Sequence, residues 1–186
     1  MMPVPDDLRS VRRCDARATL PFVALAFAGV VLCGQSQPVT FADVTERAGI
    51  AFLHHNGATG NKWYPELFGG GVAVLDFDSD GWPDLLFVNG ADWRPDGTRS
   101  RCSLYRNNGD GTFTDASSGS GLVGVDGYAL GAAVADYDND GRDDVFVTTA
   151  EGGRLFHNEG NGRVLDVTER VGIRNRDFAV SAAWLD

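Results

Sequence analysis

Two nine-residue stretches carry the chemistry in this chain: DFDSDGWPD at residues 76–84 and DYDNDGRDD at residues 136–144. Both place aspartates at positions one, three, five and nine, with glycine at position six. Four carboxylates crowded onto one loop repel each other. At ~4 Å and an effective dielectric near 20, each like-charge pair costs roughly 4 kcal/mol. The first loop contains no basic residue and the second only Arg142. A hard divalent cation resolves the conflict, because Ca²⁺ accepts 6–8 oxygen ligands in a flexible shell. The glycine permits the turn that points several oxygens inward. The spacing therefore predicts two Ca²⁺ loops.

A helix–loop–helix calcium site would need a bidentate glutamate at position twelve. Position twelve is Phe87 in one copy and Val147 in the other. The flanking runs (GVAVLDF and DLLFVNG; AAVADY and DVFVTT) are short, β-branched and aromatic, so they read as buried strands. The predicted unit is strand, acidic loop, strand.

The loops begin 60 residues apart, and Asp186 falls where a third would open, 50 residues further on. Between and after them recur SLYRNNGDGTF from Ser103 and RLFHNEGNGRV from Arg154, glycine turns joining two short runs in hairpin fashion. A further motif recurs as FADVTERAGI, FTDASSGSGL and VLDVTERVGI. Each repeat thus contains four strands, at 71–75, 85–89, 103–107 and 113–116, then 132–135, 145–148, 154–157 and 164–167. Four antiparallel strands per ~50–60 residues is the arithmetic of a β-propeller blade. The predicted class is all-β, with blades at 71–122 and 123–173, a third opening at 174–186, and a pre-blade strand and loop at 37–70. Residues 41–44 read as an orphan fourth strand.

These residues resemble a known family. DxDxDGxxDL after an apolar strand, with LYRNNGDGTFTD downstream, is similar to the FG-GAP or VCBS repeat of integrin-α-like propellers. FLHHNGATGNKWYPELFGGGVAVLDFD is similar to the opening of secreted proteins of the ASPIC/UnbV, cartilage acidic protein-like group. The resemblance covers residues 41–186 and implies about seven blades in a whole protein, so the chain reads as an N-terminal fragment. It implies Ca²⁺ ligands at Asp76, Asp78, Asp80 and Asp84 with the Trp82 carbonyl, and at Asp136, Asp138, Asp140 and Asp144 with the Arg142 carbonyl.

The 186-residue chain is 43% hydrophobic, enough for a packed core, and its 24 glycines against 7 prolines suit a turn-rich β architecture. A net charge of −10 argues against nucleic acid as partner. Arg9, Arg12, Arg13 and Arg17 precede a 15-residue apolar run at 20–34, the pattern of a secretory signal ending at residue 36. An uncleaved membrane anchor is the alternative, and the only membrane contact expected. Cys14 and Cys33 lie in that leader and only Cys102 stays in the mature part, so no internal disulfide is expected there.

Other chemistry is sparse. No serine-hydrolase elbow, HExxH or CxxCH signature occurs, and the chain is not expected to be an enzyme. His54 and His55 are adjacent, so they would point to opposite faces of a strand. His157 reads as a structural histidine. Two long connections, 51–70 and 90–102, leave by the face opposite the acidic loops if strand parity holds. They carry Trp63, Tyr64, Trp93, Arg94, Arg99 and Arg101, types enriched at interaction hot spots, and His54 and His55 join Trp63, Tyr64, Trp93 and Arg94 as candidate partner contacts. The expected function is a secreted Ca²⁺-binding propeller that presents this face to a protein or carbohydrate. The alternative is the accessory propeller of a larger secreted enzyme, whose further blades and domain belong to the same chain.

Overall fold

A computed structural model of the chain describes residues 39–93, 101–122, 125 and 127–185. The leader predicted at 1–36, Arg94, Arg99 and Asp186 lie outside the described residues. The chain divides into Met1–Phe41 and Ala42–Asp186, and the account below concerns the second unit. Eight strands are described there: β1 (Val72–Leu75), β2 (Asp84–Phe87), β3 (Ser103–Asn107), β4 (Phe113–Asp115), β5 (Ala129–Ala135), β6 (Asp144–Thr149), β7 (Gly152–Asn158) and β8 (Val164–Asp166). They form two four-stranded sheets, ordered β1-β2-β3-β4 and β5-β6-β7-β8, with every neighbouring pair antiparallel. The architecture is all-β, and each sheet has the make-up of a propeller blade.

Sequence and structure agree on strand order, and differ at the ends. β5 begins at Ala129, three residues before the predicted start, and carries a bulge between Ala129 and Gly131. The predicted strand at 41–44 is not formed; the chain there is irregular and leads into a turn over residues 45–49. Thr45 N–H donates to Asp43 Oδ1, and Ala48 N–H to the Val44 carbonyl, so a local turn takes one carbonyl that a ladder would have used.

The core lies between the two sheets. Ala73 and Leu75 of β1, Leu86 of β2 with Val88 beyond it, and Leu104 of β3 are buried together with Val145 and Val147 of β6 and Phe156 of β7. Burial alternates along β1, so Val72 and Val74 face away and are exposed. On that far face Phe52 stacks on Phe87 at 4.8 Å, and Phe87 meets Tyr105 edge-on. The last described stretch lies along the second sheet in the same manner. Ala179 N–H donates to the Thr149 carbonyl, and Trp184 meets Phe146 edge-on.

Close approach of β1 and β5 explains one of the three consecutive glycines. A Cβ on Gly71 would sit 2.7 Å from the Gly131 Cα and 3.1 Å from Val88 Cγ2, whereas one on Gly69 would meet nothing within 4 Å. Gly71→Ala should therefore destabilise the chain by about 1–3 kcal/mol, and Gly69→Ala should leave it nearly unchanged. Denaturant unfolding of the two variants side by side is the check.

Candidate metal centre

Each acidic loop joins the first two strands of its sheet, and the two are built bond for bond alike. Asp76 closes the first: its Oδ1 accepts from Asp80 N–H and its Oδ2 from Gly81 N–H, both at 3.0 Å. Asp136 does the same with Asp140 N–H at 3.0 Å and Gly141 N–H at 2.8 Å. The fifth-position aspartates accept from position seven, Trp82 N–H at 2.8 Å and Arg142 N–H at 3.0 Å. Ser79 and Asn139 (φ near 60°) and Gly81 and Gly141 (φ 86°) supply the left-handed turns. Only glycine takes that region without cost.

The ninth-position aspartates anchor the loops to the sheet. Asp84 and Asp144 have no solvent exposure. Asp84 Oδ2 accepts from Phe77 N–H at 2.9 Å and its Oδ1 from Asn107 N–H at 2.7 Å. Asp144 repeats this with Tyr137 N–H at 3.1 Å and Asn158 N–H at 2.7 Å. One carboxylate thus ties its own loop to the end of the third strand.

Position three differs. Asp78 Oδ1 is buried and finds no hydrogen-bond donor among the described residues. Its Oδ2 lies 3.9 Å from Arg106 Nη1. One carboxylate oxygen from each of Asp76, Asp78 and Asp84 lies within 4.8 Å of the others, and Asp136, Asp138 and Asp144 form the matching group. These are hard oxygen donors only, the set that suits Ca²⁺ or Mg²⁺. A buried acceptor without a donor costs free energy unless something positive meets it. The residues present therefore fit a divalent cation. Asp80 and Asp140 spend one oxygen each on the loop backbone. The carbonyls of Trp82 and Arg142, the expected further donors, stand at position seven of each loop.

The electrostatics carry the same stress. Burial raises the pKa of Asp84 above the ordinary aspartate value, and the charges of Asp78 and Asp80 push it further, against the two N–H bonds that lower it. Burial likewise raises Asp144, with the Asp138 charge adding and the two N–H bonds and His157 opposing.

Beside the second loop stands the histidine that the sequence reads as structural. His157 of β7 sits against that loop, with Nδ1 3.1 Å from Asp144 Oδ1 and 3.6 Å from Asp138 Oδ2, and Nε2 3.7 Å from Asp140 Oδ2. Its counterpart on β3 is Arg106, since each precedes the asparagine bonded to the ninth aspartate. Arg142 also folds back, its Nε donating to the Asn158 carbonyl at 2.7 Å and its Nη2 bonding Asp140 Oδ2. The signal lay in the hairpin alignment, YRNN against FHNE, which puts a cationic type at the same place in both repeats.

The residues expected at the opposite face are gathered around residues 51–70. His55 N–H donates to Asn89 Oδ1 at 2.6 Å, and His55 Nε2 pairs with Asp92 Oδ1 at 2.8 Å. Tyr128 O–H donates to the Asn56 carbonyl at 2.9 Å, and Trp93 stacks on Tyr128 at 4.8 Å. His54, Trp63 and Tyr64 are exposed, the last opening a 3₁₀ helix at Tyr64–Leu67 and packing against Phe68 and Phe178. Trp93 is half-buried and serves to hold the two connections together. Gly119 and Gly121, with Gly124, make a G-x-G-x-x-G spacing, but among the described residues the element that follows β4 is β5 and not a helix.

Raised acids bind protons more readily folded than unfolded, so their contribution to stability is present below 3.8, the ordinary value, and lost as pH rises through the folded value. Asp43 and Asp110 are lowered by hydrogen bonds from Thr45 and Thr112 and act on the other side of 3.8, losing their contribution as pH falls. In chelator, the unfolding free energy should decline as pH is raised above 3.8. With saturating Ca²⁺ the decline should vanish. Chemical unfolding across pH, with and without Ca²⁺, reads both. Gly81→Ala should cost about 1–2 kcal/mol from its backbone alone, because a Cβ there meets nothing within 4 Å.

No curated protein and no solved structure matches the chain. The family model of the FG-GAP-like repeat matches it twice, over residues 76–147 and 136–186. Each match opens on the first aspartate of an acidic loop, and together they span more than half of the chain. The sheets, the twin loops and the two matches lead to one conclusion: this chain belongs to the FG-GAP-like repeat family.

Proposed function

We propose that this chain is a calcium-binding β-propeller module, secreted, that uses the loop face opposite the cation sites to engage a protein or carbohydrate partner. The observation that carries the calcium reading is Asp78 Oδ1, a buried acceptor with no donor beside two further carboxylates. Export rests on the arginine-flanked apolar run at 20–34, and placement in the ASPIC/UnbV group on the stretch at 52–78. The partner face rests on exposed Trp63, Tyr64 and Leu67 of the long connection. No helix among the described residues is long and apolar enough to cross a membrane. This reading gives the chain no catalytic step.

In this role Asp76, Asp78 and Asp84 hold one ion, and Asp136, Asp138 and Asp144 another. Bound Ca²⁺ supplies charge neutralisation and a fixed loop shape. The first and ninth aspartates bind backbone as well, so a metal-free loop keeps its outline while the buried Asp78 Oδ1 lacks a donor among the described residues.

Calorimetric titration of the whole chain tests the proposal. Affinities of about 10⁻⁴–10⁻³ M, those of extracellular calcium modules, are expected. Ca²⁺ at 100 times its dissociation constant should add about 2.7 kcal/mol per site. Asp78→Asn should abolish one site and leave the melting temperature in chelator unchanged, because Asp78 bonds no backbone. Absence of any Ca²⁺ effect on heat or melting would refute the proposal.

A further inference from the structure

The two loops are copies in backbone and differ in what the sheet extends over them. Over the first stands Arg106, a side chain that cannot ligate a metal. Over the second stands His157, whose imidazole can. One ligand atom from each of Asp138, Asp140 and His157 lies within 4.8 Å of the other two, a group separate from the all-aspartate one and sharing only Asp138 with it. We propose that the second loop is a mixed nitrogen–oxygen site, at which His157 joins Asp138 and Asp140 to hold a transition metal such as Zn²⁺ in competition with Ca²⁺. The inference rests on the reading of this loop as a cation site.

Four features support it. Imidazole suits zinc and its neighbours and is foreign to calcium's oxygen shell. Asp144 Oδ1 lies 3.1 Å from His157 Nδ1, and a carboxylate on one ring nitrogen is how proteins aim the other at a metal. That other nitrogen, Nε2, faces Asp140 Oδ2 at 3.7 Å, a separation one ion bonded to both atoms at about 2.0–2.2 Å spans. Tyr137 meets the imidazole edge-on at 5.9 Å and limits its rotation. Arg142 Nη2, on the same Asp140 carboxylate, is the internal competitor that an ion displaces. Since both groups need Asp138, Ca²⁺ and the transition metal exclude each other here, while the first loop takes Ca²⁺ alone.

The test uses the whole chain carrying His54→Gln and His55→Gln, which leaves His157 as the only imidazole among the three histidines. Titration with Zn²⁺, and with Co²⁺ as a coloured probe, should show a nitrogen-ligated ion whose apparent affinity falls as Ca²⁺ is raised. Adding His157→Gln should weaken Zn²⁺ by about tenfold or more and leave Ca²⁺ binding at the first loop intact. Arg142→Ala should strengthen Zn²⁺. Paramagnetic shifts of the His157 ring in the Co²⁺ form require no variant at this position. Zn²⁺ binding indifferent to His157→Gln, or Co²⁺ that leaves the His157 ring unshifted, overturns the inference even where both loops bind Ca²⁺. Zn²⁺ binding that depends on His157 in a chain blind to Ca²⁺ upholds the His157 ligand and overturns both the competition and the calcium reading.

Discussion

A carboxylate with no solvent exposure, placed where β2 or β6 begins, is the constraint on which the rest of each repeat depends. Asp84 and Asp144 each bind one N–H from their own loop and one from the end of the third strand. Removing such a charge from water is costly, and hydrogen bonds to neutral amides recover only part of the cost. The loop must therefore wrap the anchor closely, and the third strand must end where its N–H can reach. Arg106 and His157 arrive by that route, because the residue whose N–H is bonded fixes where its predecessor stands.

Strand order and loop chemistry could be read from residues because both follow local rules. Alternation around DLLF and DVFV gives strands, and aspartates two apart give a loop that turns its carboxylates inward. Residues 41–44 misled for the opposite reason. FADV has the composition of a strand, but a strand also needs a partner, and Asp43 bonds its own neighbourhood first. His157 was readable only in part. Its alignment with Arg106 lies in the sequence, while its distance from three aspartates depends on pairing between strands.

At the opposite face, sequence placed the long connections on one side, and antiparallel pairing puts them there. What residue types did not reveal is how the aromatics divide. Trp93 is tied to Tyr128 within the scaffold, whereas Trp63 and Tyr64 remain turned outward. Composition marks both kinds alike; exposure is what separates them, since Tyr64 has ring partners of its own in Phe68 and Phe178.

The two repeats are also fastened to one another at the acidic end. Asp143 Oδ2 accepts from Asp76 N–H at 3.0 Å, and Asn158 Nδ2 donates to the Phe77 carbonyl at 3.1 Å. One fastener joins the two acidic loops and the other runs from the end of β7 to the first loop, so both lie at this rim, away from the connections at the other. The spacing from Asp76 to Asp136 exceeds that from Asp136 to Asp186 by ten residues, and the surplus lies in the far connections. One rim thus works as a fixed spine, and the other is where the two repeats differ in chain length.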